Sequence, residues 1–233
     1  SRLMSTGRTQ SPIPVITVDG PSGSGKGTIS QALAGQLGWH HLDSGSLYRL
    51  LAYAALQESL DLSDESALTA LAKRLSHAYR LPTQDNPAIE LYGKDVSDAL
   101  RTEGCADAAS RIAALPAVRV ALLAWQRHYR QSPGLVADGR DMGTVVFPDA
   151  VLKLYLTARP DVRAERRYKQ LINKGIESDL PSLIKEVEAR DARDSGRKAS
   201  PLKPAATALV VDNSDLGEAE TLQQVLDAAH AVL

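Results

Sequence analysis

The chain of 233 residues holds a single cysteine, Cys105, which excludes an internal disulfide and any cysteine-built zinc site. That usage suits a reducing compartment, and we expect a cytoplasmic protein. Aromatic residues make up only 4% of the sequence, with one Phe and two Trp, so Trp39, Trp125 and Phe147 read as packing residues and not as a base-stacking surface. A net charge of −1 gives no basic field for nucleic acid or an anionic membrane, and clusters of Arg must be read as local sites. No apolar run approaches the roughly 18 residues of a membrane span, and Ser1 to Pro14 lack the apolar middle of a signal peptide. His40 and His41 point to opposite faces of a strand, and His77, His128 and His230 show no ligand spacing, so no protein-held metal is expected. No serine sits in a Gly-x-Ser-x-Gly elbow.

What is present is the composition of a globular protein, 43% hydrophobic and 24% charged. We expect residues 1–13 to be a disordered N-terminal segment or a cloning remnant, and 14–233 to form one domain. Val15 to Asp19 is a short β-branched apolar run that stops at Gly20, the pattern of a buried parallel strand. Similar runs occur at Gly134 to Asp138, Val151 to Leu156 and Ala208 to Asp212, alternating with helical patterns. This alternation predicts an α/β fold with a parallel sheet covered on both faces. One stretch breaks the rhythm. After a helix near Asp64 to His77, residues 78–97 carry alternation and a turn signal, with Ala88 to Tyr92 and Gly93 to Val96 like a small antiparallel hairpin, which places an insert at about 62–116. The segment from Asp161 to Arg197 is long, helical and highly charged.

Gly20-Pro21-Ser22-Gly23-Ser24-Gly25-Lys26-Gly27-Thr28 lies between the first strand and the first helix. Its glycines let backbone N–H groups curl inward beside a helix N-terminus, and Lys26 reaches the β- and γ-phosphates of a nucleotide as a point charge. A phosphate loop usually carries Ser or Thr directly after the Lys; here Gly27 stands there and Thr28 follows one place later. A dinucleotide site is the competing reading of Gly23-Ser24-Gly25 with Asp43 downstream, but the third glycine is replaced by Thr28 and Lys26 would be idle.

Two further segments stand where strands end. Asp43 to Arg49 offers Ser44 and Arg49 for an acceptor phosphate, although a helix N-cap with an exposed Arg has the same look. Asp138-Gly139-Arg140-Asp141 places a carboxylate at the phosphates, suited to a water-bridged Mg²⁺, with Arg140 and Asp141 on the same edge. Arg190, Arg193 and Arg197, spaced by three and four, would share one helix face; a solvated face with surface ion pairs has the same look, but Arg190 and Arg193 would suit the charge of a moving phosphoryl group. The roles of Arg163, Arg166 and Arg167 stay open.

The phosphate loop, Asp43 to Arg49 and Asp138 to Thr144 together resemble bacterial-type cytidylate kinase, of the nucleoside monophosphate (NMP) kinase family. The resemblance runs from about Val15 to the C-terminus. It implies the P-loop NMP-kinase fold: a parallel five-stranded sheet flanked by helices, an inserted small α+β NMP-binding subdomain and a helical lid at about 160–200. It implies phosphoryl transfer from Mg-ATP to CMP or dCMP in pyrimidine metabolism, with Lys26, Arg190, Arg193 and Asp138 catalytic and residues 20–28 holding ATP. Ser44, Arg49 and Arg140 would bind the acceptor phosphate, and Ser110, Arg119 and Asp141 the cytosine edge. Tyr48 would lie near the sugar, Asp194 and Arg190 near the ribose hydroxyls, and Arg197 would complete the pocket. Mg²⁺ would come only with ATP, no nucleic acid or membrane partner is expected, and the family implies a monomer. The alternatives are a broader pyrimidine or other small-molecule kinase, or a nucleotide-dependent switch. No Asn-Lys-x-Asp segment supports the switch.

Overall fold

The computed structural model describes residues 12–198 and 200–233. Most of the N-terminal segment expected to be disordered, residues 1–11, lies outside the described residues. Five strands form one fully parallel sheet in the order β2-β6-β1-β7-β8: β1 is Val15–Asp19, β2 His40–Asp43, β6 Leu135–Gly139, β7 Leu152–Thr157 and β8 Leu209–Asp212. All five residues of β1 and of β6 are buried, because helices cover both faces of the sheet centre. β1 pairs Val18 with Asp138 on one side and with Leu154 on the other. The carboxyl ends of β1, β2 and β6 therefore open side by side, where ligands bind in such sheets.

One face of the sheet is covered by α1 (Lys26–Leu37) and α9 (Glu218–Val232), with Ile29, Leu33 and Ala34 packed among Ile16, Val18, Val225 and Ala229. Gly38 takes φ 68° to close α1, and its N–H reaches the last-turn carbonyls. The other face belongs to α2 (Ser44–Gln57), capped by Asp43, whose side chain accepts from the Ser46 amide at 3.3 Å.

Between α2 and β6 the chain adds α3 (Glu65–Leu75), β3 (Tyr79–Arg80), β4 (Glu90–Leu91), β5 (Lys94–Asp95), α4 (Ser97–Leu100), α5 (Glu103–Ile112) and α6 (Pro116–Arg127). The hairpin read near Gly93 is β4–β5, turning through Tyr92 and Gly93 at φ 52° and 74°, both left-handed as a tight two-residue turn requires. β3 adds a third antiparallel strand, within the stretch 78–97 whose alternation had marked the insert. This segment shares one apolar cluster with the main sheet: Leu68, Leu71, Leu91 and Ile112 pack in the same core as Leu42, Leu47 and Leu135.

The charged, helical stretch after β7 is two helices. α7 (Pro160–Asn173) ends before Gly175, at φ 73°, and α8 (Leu180–Gly196) restarts with Asp179 capping the Ser182 amide at 3.1 Å. No single described helix is long and apolar enough to cross a membrane; α5 and α6 pass together by composition, but they bend by 104° and bury Cys105, Ile112, Val118 and Leu122 in the core.

Candidate active site

The phosphate loop runs from the end of β1 into α1. Gly20 needs its missing side chain for packing, since a Cβ there would lie 2.1 Å from the Leu156 carbonyl oxygen. Gly23 and Gly25 take φ 75° and 81°, which only glycine adopts without strain. Three carbonyls on the outside of the loop are taken by side chains from other elements. Arg163 donates to Ser22 O at 3.1 Å, Arg166 to Gly23 O at 3.1 Å, and Asn213 to Ser24 O at 2.8 Å. In a trans peptide the N–H points opposite its carbonyl. Fixing the Ser22 and Ser24 carbonyls therefore aims the Gly23 and Gly25 amides the other way.

Arg163 is buried and further held by the Ala158 carbonyl at 2.9 Å and by the Asp191 carboxylate at 2.5 Å, which ties α7 to α8. Arg166 also donates to the Asn213 carbonyl at 2.9 Å. The sequence had left the roles of these two arginines open and had not singled out Asn213. Asn213 did carry a signal, because it follows the carboxyl end of β8.

Beside the loop lies a cavity of about 270 Å³ lined by Lys26, Ser44, Tyr48, Arg49, Ser110, Arg119, Asp138, Arg140, Asp141, Arg190, Asp194 and Arg197. Every residue named from the sequence for the acceptor nucleotide is on its wall. Elements far apart in the chain supply them: α5 brings Ser110, α6 Arg119, the loop after β6 Arg140 and Asp141, and α8 Arg190 and Asp194.

Asp141 and Arg119 form a buried ion pair, and Arg119 also donates to the Ala113 carbonyl at 2.8 Å and lies 5.5 Å over the Tyr48 ring. They stand side by side on the wall of this cavity. Arg140 lies 2.5 Å from Asp194, which Arg197 approaches at 3.4 Å. The Ser110 hydroxyl is buried without a hydrogen-bond partner among the described residues. The Ser44 hydroxyl donates to Gln126 Oε1 at 2.6 Å, so its proton is committed. Gln126, fully buried on α6, had no sequence signal. Arg49 pairs with Asp43 at 3.2 Å.

Electrostatics divide the cavity floor. Burial and the neighbouring Arg140 pull the Lys26 ammonium down to about 7, and the same two causes pull Arg190 down to about 10. Burial and the nearby Asp43 raise Asp138, while burial pushes the Tyr48 phenol up to about 12. A cluster that depresses its own cations is one that gains from receiving anions.

A second cavity, of about 1080 Å³, is lined by the loop from Ser22 to Thr28, by Arg163, Arg166, Arg167 and Arg193, and by Asn213 and Gly217. Gly20 and Pro21, expected from the sequence among the ATP-holding residues, line neither cavity. Arg193 is paired there with Asp107 of α5 at 3.2 Å, and Arg167 with Glu103. The two cavities share Ser22, Gly23, Lys26, Gly27, Arg49 and Arg190, so they meet at the tip of the phosphate loop.

Among the described residues no cluster of three His, Cys, Asp or Glu could hold a metal ion. His40 reaches Ser132 O at 3.0 Å and His41 reaches Asp138, two unrelated partners. One buried carboxylate beside a phosphate site does fit a hydrated Mg²⁺ that arrives on a nucleotide, since that ion keeps most of its waters.

Residues 16–231 match the sequence profile of the cytidylate kinase family. The chain is 53% identical over 216 residues to a cytidylate kinase of Stutzerimonas stutzeri (strain A1501), covering 92% of this chain and 94% of that protein. It is 54% identical to the cytidylate kinases of Shewanella frigidimarina (strain NCIMB 400), over 215 residues, and of Bordetella bronchiseptica (strain ATCC BAA-588 / NCTC 13252 / RB50), over 214, again at 92% and 94% coverage. Likeness of that extent matches what the two cavities and their shared loop had suggested: the chain belongs to the cytidylate kinase family.

Proposed function

We propose that this protein transfers the γ-phosphoryl group of ATP to CMP or dCMP, releasing ADP and CDP or dCDP. The observation that carries the reading is the junction of the two cavities at Lys26, Arg49 and Arg190. ATP lies in the larger one with its phosphates on the loop amides, and the acceptor lies in the smaller one with its phosphate at Arg49 and Arg140. An acceptor phosphate oxygen attacks the γ-phosphorus, and the bond to the β,γ-bridging oxygen breaks. That oxygen keeps the electron pair and leaves as part of ADP. The attacking oxygen is already anionic, so no general base is needed, and catalysis is alignment plus charge cover.

Lys26 and Arg190 hold the transferring group from the junction, and Arg193 reaches it from α8 once it leaves Asp107. Asp138 would hydrogen-bond a water of the Mg²⁺ shell, and that ion would neutralise the β- and γ-oxygens. Cytosine presents an amino donor directly beside its N3 acceptor. The adjacent Asp141 carboxylate and Arg119 guanidinium offer an acceptor beside a donor, with the Ser110 hydroxyl on the same wall. Uracil would turn O4 toward Asp141, two acceptors face to face, and leave buried groups unmatched. Asp194 and Arg190 would approach the ribose hydroxyls, and Arg197 would complete the pocket.

The test is ADP formation with CMP, dCMP, UMP, AMP, GMP or shikimate, for the wild type and Asp141→Ala. Turnover with CMP and dCMP, little with UMP, and loss in the variant is the expected result. Equal turnover with UMP would sink the account of Asp141; ADP formation indifferent to the acceptor would sink the kinase reading.

A further inference from the structure

Asp19 ends β1, directly before the phosphate loop, yet its buried carboxylate serves the acceptor side. One oxygen accepts the Met142 amide at 2.9 Å and the other the Gly143 amide at 2.9 Å. Those two residues open a π-helical turn, Met142–Val146, whose first amides have no partner within the turn. A second tie lies close by, for the Gly20 amide donates to the Gly139 carbonyl at 3.3 Å. The turn also sits flush on β1: a Cβ at Gly143 would come within 2.9 Å of Thr17 Oγ1. Between these anchors stand Arg140 and Asp141, both on the acceptor wall, while Asp19 lines neither cavity. A carboxylate is costly to hold there, since burial raises Asp19 to about 7 even with two amides donating to it. An apolar residue would fill the site at lower cost, but it would leave two buried amides unmatched.

We propose that Asp19 is a positioning residue: it fixes the backbone from Gly139 to Gly143 against the strand that carries the phosphate loop, and so sets where Arg140 and Asp141 meet the acceptor nucleotide. It makes no contact with either nucleotide. The inference rests on the CMP-acceptor reading above.

Steady-state kinetics of the wild type, Asp19→Asn and Asp19→Ala test it, with CMP, UMP and ATP each varied and thermal melts recorded alongside. The Asn amide keeps one acceptor and Ala keeps none, so the KM for CMP rises in that order, by about tenfold or more for each amide left unmatched. The KM for ATP stays within about twofold on this mechanism, because the loop amides are aimed by other residues, and the preference for CMP over UMP falls. Should Asp19→Ala not fold, Asp19→Asn alone decides. An unchanged CMP KM and CMP/UMP preference overturns the proposal, as does an equal rise in both KM values, which would mean general loosening. A wild type that does not phosphorylate CMP defeats the acceptor reading and this inference with it. A wild type that does, with unaltered variants, defeats this inference alone.

Discussion

His41 Nε2 lies 2.5 Å from Asp138 Oδ2, bridging β2 to the carboxylate at the end of β6. Burial works against a charged imidazole here, but the hydrogen bond and charge of Asp138, with Asp43 nearby, raise His41 above its ordinary value. A histidine raised on folding stabilises fully below about pH 6.5, and the contribution fades as pH climbs through the raised value. Replacing His41 by Leu should therefore lower Tm more at pH 6.5 than at pH 9. Melting curves of the two proteins across that range check this. A gap that stays constant or widens toward pH 9 rules out a charged His41 in the folded protein.

The Arg119–Asp141 pair is almost inaccessible, with side chains 8% and 5% exposed. Removing one partner strands the other as a buried charge, which costs about 3–5 kcal/mol. For a chain of this size that corresponds to a Tm drop on the order of 10 °C. Replacing both, as Arg119→Met with Asp141→Leu, should recover most of the lost stability and none of the CMP turnover. Recovered turnover in the double variant would mean that neither group reads the base.

The glycines at 20, 23 and 25 announced the phosphate loop because each φ or close approach there has one inexpensive solution, and β1 and β6 announced themselves by burying every residue. The acceptor wall was legible only in part. Arg140 and Asp141 sit at a strand end, but Ser110 and Arg119 reach the cavity through the packing of α5 and α6, and it took the family resemblance to single them out. Arg163, Arg166 and Arg167 share one helix and one chemistry. Their directions depend on where α7 crosses the loop, so two hold loop carbonyls and the third pairs with Glu103. Nothing local to Gln126 says that its amide oxygen will meet Ser44 across the core.

Lys26 should reveal itself by its proton. With its ammonium pulled down to about 7, it is mostly neutral at pH 8 until phosphates arrive among Arg140, Arg190 and Lys26. Their negative charge restores the ammonium, so ATP binding at pH 8 should take up about one proton per site, and fewer at pH 6. Calorimetry in buffers of different ionisation enthalpy measures this directly. Lys26→Met should abolish the uptake; an uptake that survives in that variant belongs to another group.

Arg193 pairs with Asp107 across the mouth of the larger cavity, with side chains 35% and 48% exposed. So exposed a pair contributes at most about 1 kcal/mol, so Asp107→Ala should leave Tm nearly unchanged. Its kinetic effect separates two arrangements. If Arg193 must leave Asp107 to cover the transferring group, Asp107→Ala keeps kcat and lowers the KM for ATP. Arg193→Ala should then lose about 10³-fold in kcat, and the double variant should match it. The ionic-strength dependence points the same way: salt screens the pair, so the advantage of Asp107→Ala in KM should shrink as salt rises. A loss of kcat in Asp107→Ala as deep as that in Arg193→Ala would instead make the intact pair the working unit, with α5 and α8 held together through transfer.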